Sequence, residues 1–214
     1  MVEMPTPAPP GTAIGRCALI ATLALLSGCG EAGPSLAERA AAARAAQEAA
    51  DAAAREGSRA RSEAGRLAAL WRYQDATVGG GAQKTAAIFA TGDVDVDGQG
   101  AKPVQLVFRD HAAWGRSSYL VLQAGDFACR PRCTVSVAAD ARPLVRMAAR
   151  RPNTDEAIAM FIDDAAALWR LAGAATRLVI EFPVTAGGTR AAAFEVAALD
   201  EAKMPGWPAG ASAR

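Results

Sequence analysis

Between Ser35 and Leu70 the chain carries only three large apolar side chains, Leu36, Leu67 and Leu70. The rest of the segment is mainly Ala, Arg and Glu. A helix of that composition has almost nothing to bury, so any core must be built from the residues that follow it. The segment opens "PSLAE", where Ser35 followed by Glu38 predicts a capping box. Oppositely charged pairs then recur at helical spacing: Arg44 with Glu48, Asp51 with Arg55, Arg59 with Glu63, and Glu63 with Arg66. Each contributes a few tenths of a kcal/mol at most, and Gly57 and Gly65 weaken the helix. The reading is a solvated, Ala-rich helix of about 50 Å if fully formed. It would act as a tether, with an alanine-packed partner site as the alternative.

From Trp71 the pattern changes to short alternating runs separated by turn signals such as "VGGGAQ", Asp97-Gly98 and Gly187-Gly188. Strands are expected near Lys84–Thr91, Val94–Val96, Val104–Arg109, Ser118–Gln123, Cys133–Ala138, Leu144–Met147, Ala157–Ile162, Arg177–Pro183 and Arg190–Ala197. One helix interrupts them, capped by Asp163, striped by Leu168 and Leu171, and ended by Gly173. The alternative joins Thr154 to Ala172 into a single helix. The expected fold is mainly β with one short helix, an antiparallel β-sandwich or barrel-like meander, preceded by the long Ala-rich helix.

The 214 residues suit one domain with an appendage. The 23 basic residues are balanced by 22 acidic ones, which argues against nucleic acid as a partner.

Upstream of the tether stands "CALIATLALLSGCG", Cys17 to Gly30. Its apolar stretch to Leu26 is too short for a membrane span and matches the apolar region of a secretory signal. Arg16 stands before it. The exit, Leu26-Ser27-Gly28-Cys29, resembles the lipobox of bacterial lipoproteins. That resemblance implies cleavage before Cys29, acylation of its sulfur and stable anchorage by two or more chains. Gly30, rather than Asp, after the cysteine implies the outer membrane. The chain then divides into a signal peptide (1–28), a lipid anchor with helical tether (29–70), a β-rich domain (71–200) and a disordered tail (201–214). Cys17 leaves with the signal and Cys29 carries lipid, so Cys129 and Cys133 remain as one close pair, as suits an oxidising periplasm.

The folded part has a second resemblance, carried by Trp71 and Tyr73, by Gly125, Phe127, Cys129, Cys133 and Asp140, and by Phe194, Val196 and Leu199. These residues resemble a family of uncharacterised proteobacterial exported proteins and lipoproteins, over roughly Trp71 to Leu199. The family implies no established activity.

Cys129-Arg-Pro-Arg-Cys133 reads as a stapled hairpin tip, with Pro131 favouring a turn. A disulfide there closes a small loop, a gain of about 2 kcal/mol. Arg130 and Arg132 flank Pro131 and offer contacts to an anionic partner. A zinc site lacks ligands, since His111 is the only histidine. "DVDVDG", Asp93 to Gly98, imitates half a calcium loop, but the twelfth position is Val104 instead of Glu. Asp110-His111 with Ser117 and Ser118 nearby lacks a nucleophile elbow, and Asp163-Asp164 reads as a helix start. No cofactor, metal or catalytic residue is expected. The favoured reading is a non-enzymatic envelope lipoprotein contacting another envelope protein or a cell-wall component. The alternative is a periplasmic ligand- or glycan-binding module using Trp71, Tyr73, Trp114 or Tyr119.

Overall fold

The computed structural model describes residues 33–152 and 158–207. The signal segment, Cys17 and the proposed lipidation site Cys29 lie outside them. The chain divides into two units, residues 1–49 and 50–214.

The first helix, α1 (Leu36–Leu70), runs unbroken through Gly57 and Gly65 and buries none of its residues. The capping box forms: the Ser35 N–H donates to Glu38 at 2.6 Å, and the Glu38 N–H donates to the Ser35 hydroxyl at 3.3 Å. Near its end Arg66 bridges Glu63 at 2.8 Å and Glu195 at 2.9 Å.

Nine antiparallel strands follow: β1 (Arg72–Val78), β2 (Gly81–Phe89), β3 (Val104–His111), β4 (Gly115–Leu122), β5 (Cys133–Ala139), β6 (Val145–Arg150), β7 (Ala159–Ile162), β8 (Arg177–Pro183) and β9 (Thr189–Glu195). They form one sheet in the order β1-β2-β3-β4-β7-β6-β5-β8-β9. The expected mainly β, antiparallel fold forms, and of the two arrangements expected for it, a sandwich or a barrel-like meander, the sandwich is not confirmed. The sheet is open: β1 and β9 do not ladder, although the Thr91 N–H beyond β2 donates to the Ala193 carbonyl of β9 at 2.7 Å.

Register assigns the two faces. Ile88, Leu106, Leu120 and Met160 lie opposite one another in successive strands, as do Ala86, Phe108, Ser118, Ile162 and Ala149. All are buried, and they form the inner face. The second helix, α2 (Ala165–Gly173), presses Ala165, Leu168, Trp169 and Ala172 into the core. Phe108 is the hub of that core. Its ring meets Trp169 at 5.1 Å and Trp207 at 5.4 Å, both edge-on, and Trp71 at 6.2 Å.

Several sequence expectations are corrected. β1 was not anticipated, because at this sheet edge it is exposed along nearly its whole length and shows no apolar alternation. Val94–Val96 is reduced to a single bridge, Val94 to Lys102. The single helix from Thr154 to Ala172 does not form, since Ala159–Ile162 is a strand and the helix begins only at Ala165. Asp164, rather than Asp163, caps α2 by accepting the Ala167 N–H at 2.9 Å. The segment expected to be a disordered tail from residue 201 is, as far as Trp207, part of the fold. A short 3-10 turn spans Glu201–Lys203, and Met204 and Trp207 are buried. Gly206 lies so close to the Asp110 carboxylate that no side chain fits there, and Arg116 donates to its carbonyl at 3.1 Å.

Asp140, at the end of β5, adopts a left-handed backbone conformation, φ 50°. Its carboxylate accepts the Thr176 hydroxyl at 2.6 Å, the Arg177 N–H at 2.9 Å and the Thr176 N–H at 3.1 Å. Those bonds hold its pKa below the ordinary aspartate value, the Thr176 hydroxyl most of all. The residue that closes the cysteine motif is thus a clasp between β5 and β8.

Candidate interaction surface

Two hairpin tips stand side by side at one end of the sheet. The β1–β2 turn is Gly79-Gly80, with φ 55° and 77°. Positive values at both positions define the hairpin turn that glycine favours. The β3–β4 hairpin is closed by His111 opposite Gly115. His111 is buried at 1% exposure, and its ring ties the two tips together. Nδ1 accepts the N–H groups of Ala113 and Trp114 at 3.1 and 3.2 Å. Nε2 faces the Val78 carbonyl at 2.8 Å and must carry the proton, because Nδ1 is occupied as an acceptor.

The Trp114 indole stacks on this imidazole, 3.8 Å between centroids and 10° between planes, and stays 55% exposed. The glycine run makes room for both rings. A Cβ on Gly79 would stand 2.9 Å from the indole, and one on Gly81 2.7 Å from the imidazole.

Beside this pair, the outer face carries a row formed by Val107, Tyr119, Phe161 and Arg150 in register. The Arg109 guanidinium sits among their rings, 5.5 Å from Trp114 and 5.8 Å from both Tyr119 and Phe161. Arg150 also lies over the Phe161 ring at 5.4 Å and bridges Asp163 at 2.8 Å. Burial pushes the Tyr119 phenol above its ordinary pKa, while the charge of Arg109 pulls it back. Ser117 lies directly opposite Arg109. The Nε of Arg109 and the hydroxyl of Ser117 are both buried and lack a hydrogen-bond partner among the described residues. A buried polar group left unpaired carries a free-energy penalty of about 1–3 kcal/mol.

Of the four aromatics anticipated as groove residues, the structure brings together two, Trp114 and Tyr119. Trp71 is buried, and its indole N–H donates to the Val196 carbonyl at 3.3 Å. The Tyr73 hydroxyl accepts the Asp200 N–H at 2.7 Å. Arg109 and Phe161 were not anticipated. The period-2 alternation of "VQLVFRDH" and "GRSSYLVL" carried the signal, because it places Arg109, Ser117 and Tyr119 on the face opposite Phe108.

The other candidates separate. Asp110 and His111 point to opposite faces of β3, and Ser118 is turned inward with its hydroxyl on the Ile162 carbonyl at 3.3 Å. Asp163 pairs with Arg150 while Asp164 caps α2, so the two carboxylates do not share a site. Asp95 and Asp97 spend carboxylate oxygens on the amides of Gly98 and Gln99, at 2.7 and 2.9 Å. No group of three or more metal-ligating side chains occurs among the described residues. Cys129 and Cys133 lie at disulfide distance, with Cα atoms 4.8 Å apart. The expected hairpin tip is corrected: β4 and β5 are not neighbours in the sheet, so the stretch is a loop leading into β5, on which Arg130 and Arg132 are exposed.

The depressions are shallow. One of about 450 Å³ is lined by Tyr73, Asp75, Lys84 and Lys203, but Lys84 is paired with Asp75 at 2.6 Å. Another, of about 380 Å³, is lined by Val145, Met147 and Leu171 with Arg142 and Arg170. Comparison with family models, curated proteins and solved structures finds no match.

Proposed function

We propose that this chain is a lipid-anchored protein of the bacterial cell envelope, non-enzymatic, whose β-rich domain works by surface contact with another envelope component. The lipobox-like Leu26-Ser27-Gly28-Cys29 supports the anchor, with lipid on Cys29 and α1 as the tether in the periplasm. Gly30 favours the outer membrane. Among the described residues no helix is long and apolar enough to cross a membrane. The Cys129–Cys133 pair suits an oxidising compartment. The observation that carries the contact role is the Arg109–Trp114–Tyr119–Phe161 face. It gathers an exposed indole and a guanidinium set among three rings.

A second reading, a glycan- or ligand-binding module, draws on the same face, since flat aromatic surface with a few polar groups is what sugar rings stack on.

Membrane fractionation and intact-mass measurement test the anchor. The wild-type chain should be in the membrane fraction with a lipid-modified N-terminus at Cys29, and the Cys29→Ala chain should leave it. A Cys29→Ala chain that stays membrane-bound sinks the anchor.

A further inference from the structure

We infer that the free edge of β1 pairs with the β1 of a second copy of this chain, antiparallel about a two-fold axis at Ala76, so that two open sheets join into one.

Register shows which backbone groups are available. β1 and β2 meet across a two-residue turn, with Val78 opposite Gly81. The Ala82 carbonyl, next along β2, accepts the Ala112 N–H at 2.9 Å, on the β3 side. Backbone groups alternate in direction along a strand. Gly81, Gln83 and Thr85 therefore turn towards β1, where Val78, Ala76 and Gln74 meet them. Tyr73, Asp75 and Thr77 point their N–H and C=O groups the other way, where β1 has no neighbouring strand. Residues 74–78 are exposed. Such a row of groups is a template for another strand, and folded proteins blunt it with proline, a bulge, charge or a covering loop. β1 has no proline, and its register with β2 runs without a bulge. Its one acid, Asp75, is neutralised by Lys84 at 2.6 Å. The opposite edge is obstructed, since the Thr91 N–H and hydroxyl both donate to the Ala193 carbonyl of β9, at 2.7 and 3.3 Å.

An extended backbone is what matches this alternation of donors and acceptors, and β1 is a fitting partner for itself. Outward groups meet outward groups when the axis lies at Gln74, Asp75 or Ala76. An axis at Asp75 sets two carboxylates directly opposite, which is destabilising. An axis at Gln74 leaves out Thr77 and draws in Tyr73, whose hydroxyl is committed to the Asp200 N–H. An axis at Ala76 uses the exposed half of the strand. It sets each Asp75 opposite a Thr77 hydroxyl that can donate to it. Ala76 then meets Ala76, and Val78, 37% exposed, meets the aliphatic stem of Gln74. Each Asp75–Thr77 pair exchanges two backbone hydrogen bonds. The contact is isologous, so it closes at two copies. A ladder this short covers less than a standard interface, about 800 Å² per partner, so association is expected in the micromolar range.

The test uses the detergent-solubilised full-length chain. Sedimentation equilibrium of the unaltered chain should show monomer and dimer exchanging over about 1–100 μM. Ala76→Cys should form a reducible dimer under mild oxidation. Its two copies would face each other across the axis with Cα atoms about 4.5 Å apart, within disulfide reach. Gln74→Cys should form little, its two copies being about 14 Å apart along the strands. The unaltered chain, oxidised alongside, sets the background from its own cysteines. Thr77→Pro removes an outward N–H and leaves the ladder to β2 intact. It should weaken dimerisation at least about tenfold, since two backbone hydrogen bonds are lost per dimer. Thermal melts establish that each variant is folded, and the sedimentation of the unaltered chain needs no variant. A chain still monomeric at about 100 μM overturns the pairing. So does a dimer that Thr77→Pro leaves unchanged, or one that cross-links equally through Gln74→Cys and Ala76→Cys. None of these measurements depends on lipid at Cys29, so the pairing and the anchor stand or fall separately.

Discussion

The imidazole of His111 and the indole of Trp114 are stacked 3.8 Å apart, and the same imidazole accepts the Trp114 N–H at 3.2 Å. One buried ring therefore fixes both the backbone and the side chain of the most exposed tryptophan on the domain. Removing it by His111→Ala takes the partners from two amides and from the Val78 carbonyl at once. A loss of about 2–3 kcal/mol is expected, with a red-shifted Trp emission as the indole is released. Urea unfolding followed by fluorescence checks both, and unchanged emission would show that Trp114 is held by something else.

The three successive glycines predict a graded response. Gly80→Ala meets nothing within 4 Å and should show only the left-handed backbone penalty, about 1 kcal/mol. Gly79→Ala adds a 2.9 Å approach to the indole, and Gly81→Ala a 2.7 Å approach to the imidazole. Both should be destabilised more than Gly80→Ala. Equal Tm values for all three would refute the close approach.

Asp140 gives the pH dependence a sign. Its folded pKa lies below the ordinary value because the ionised form accepts the Thr176 hydroxyl and the Arg177 and Thr176 amides. The stabilisation is therefore complete above the unfolded aspartate pKa of about 4 and fades as pH falls through the lower folded value. The group is exposed, so the effect is modest. Tm measured from pH 6 to pH 3 should fall less steeply in Asp140→Asn than in the unaltered chain. Parallel slopes would mean that the clasp carries no charge-dependent stability.

Trp207 distinguishes a packed segment from a tail. Its ring is buried against Phe108 and Trp169, so Trp207→Ala should remove about 3–5 kcal/mol. Its indole N–H has no hydrogen-bond partner among the described residues, so Trp207→Phe should lose much less. Chemical denaturation of the two variants separates them, and equal midpoints would place Trp207 outside the core.

The strands legible in sequence were those with one face on the core, such as β3, β4, β8 and β9, where alternation reports burial directly. β1 was illegible because an exposed edge strand has no apolar face to alternate. The role of residues 201–207 was hidden for a different reason. Met204 and Trp207 are isolated in a Pro- and Gly-rich stretch, and only the folded structure shows that both are buried, Trp207 against Phe108 and Trp169. Within the candidate site, Trp114 and Tyr119 could be picked out as residue types. Alternation assigned Arg109 and Ser117 to the outer face, and Ser117 was singled out only beside Asp110-His111, but the convergence of Arg109 with Phe161 depends on register between three strands. The glycine run read as a turn, which it is, but its second task, clearing space for two rings from another hairpin, lies across 30 residues of chain.

Trp71 and Trp207 reach Phe108 from opposite ends of the folded unit. The centre of the core is thus completed by the first and the last large residues to join it. A chain threaded through a translocation pore N-terminus first would hold its Phe108 cluster open until residue 207 had passed. The same arrangement exposes apolar strands throughout transit, so passage would depend on a chaperone at the exit until the last tryptophan is through.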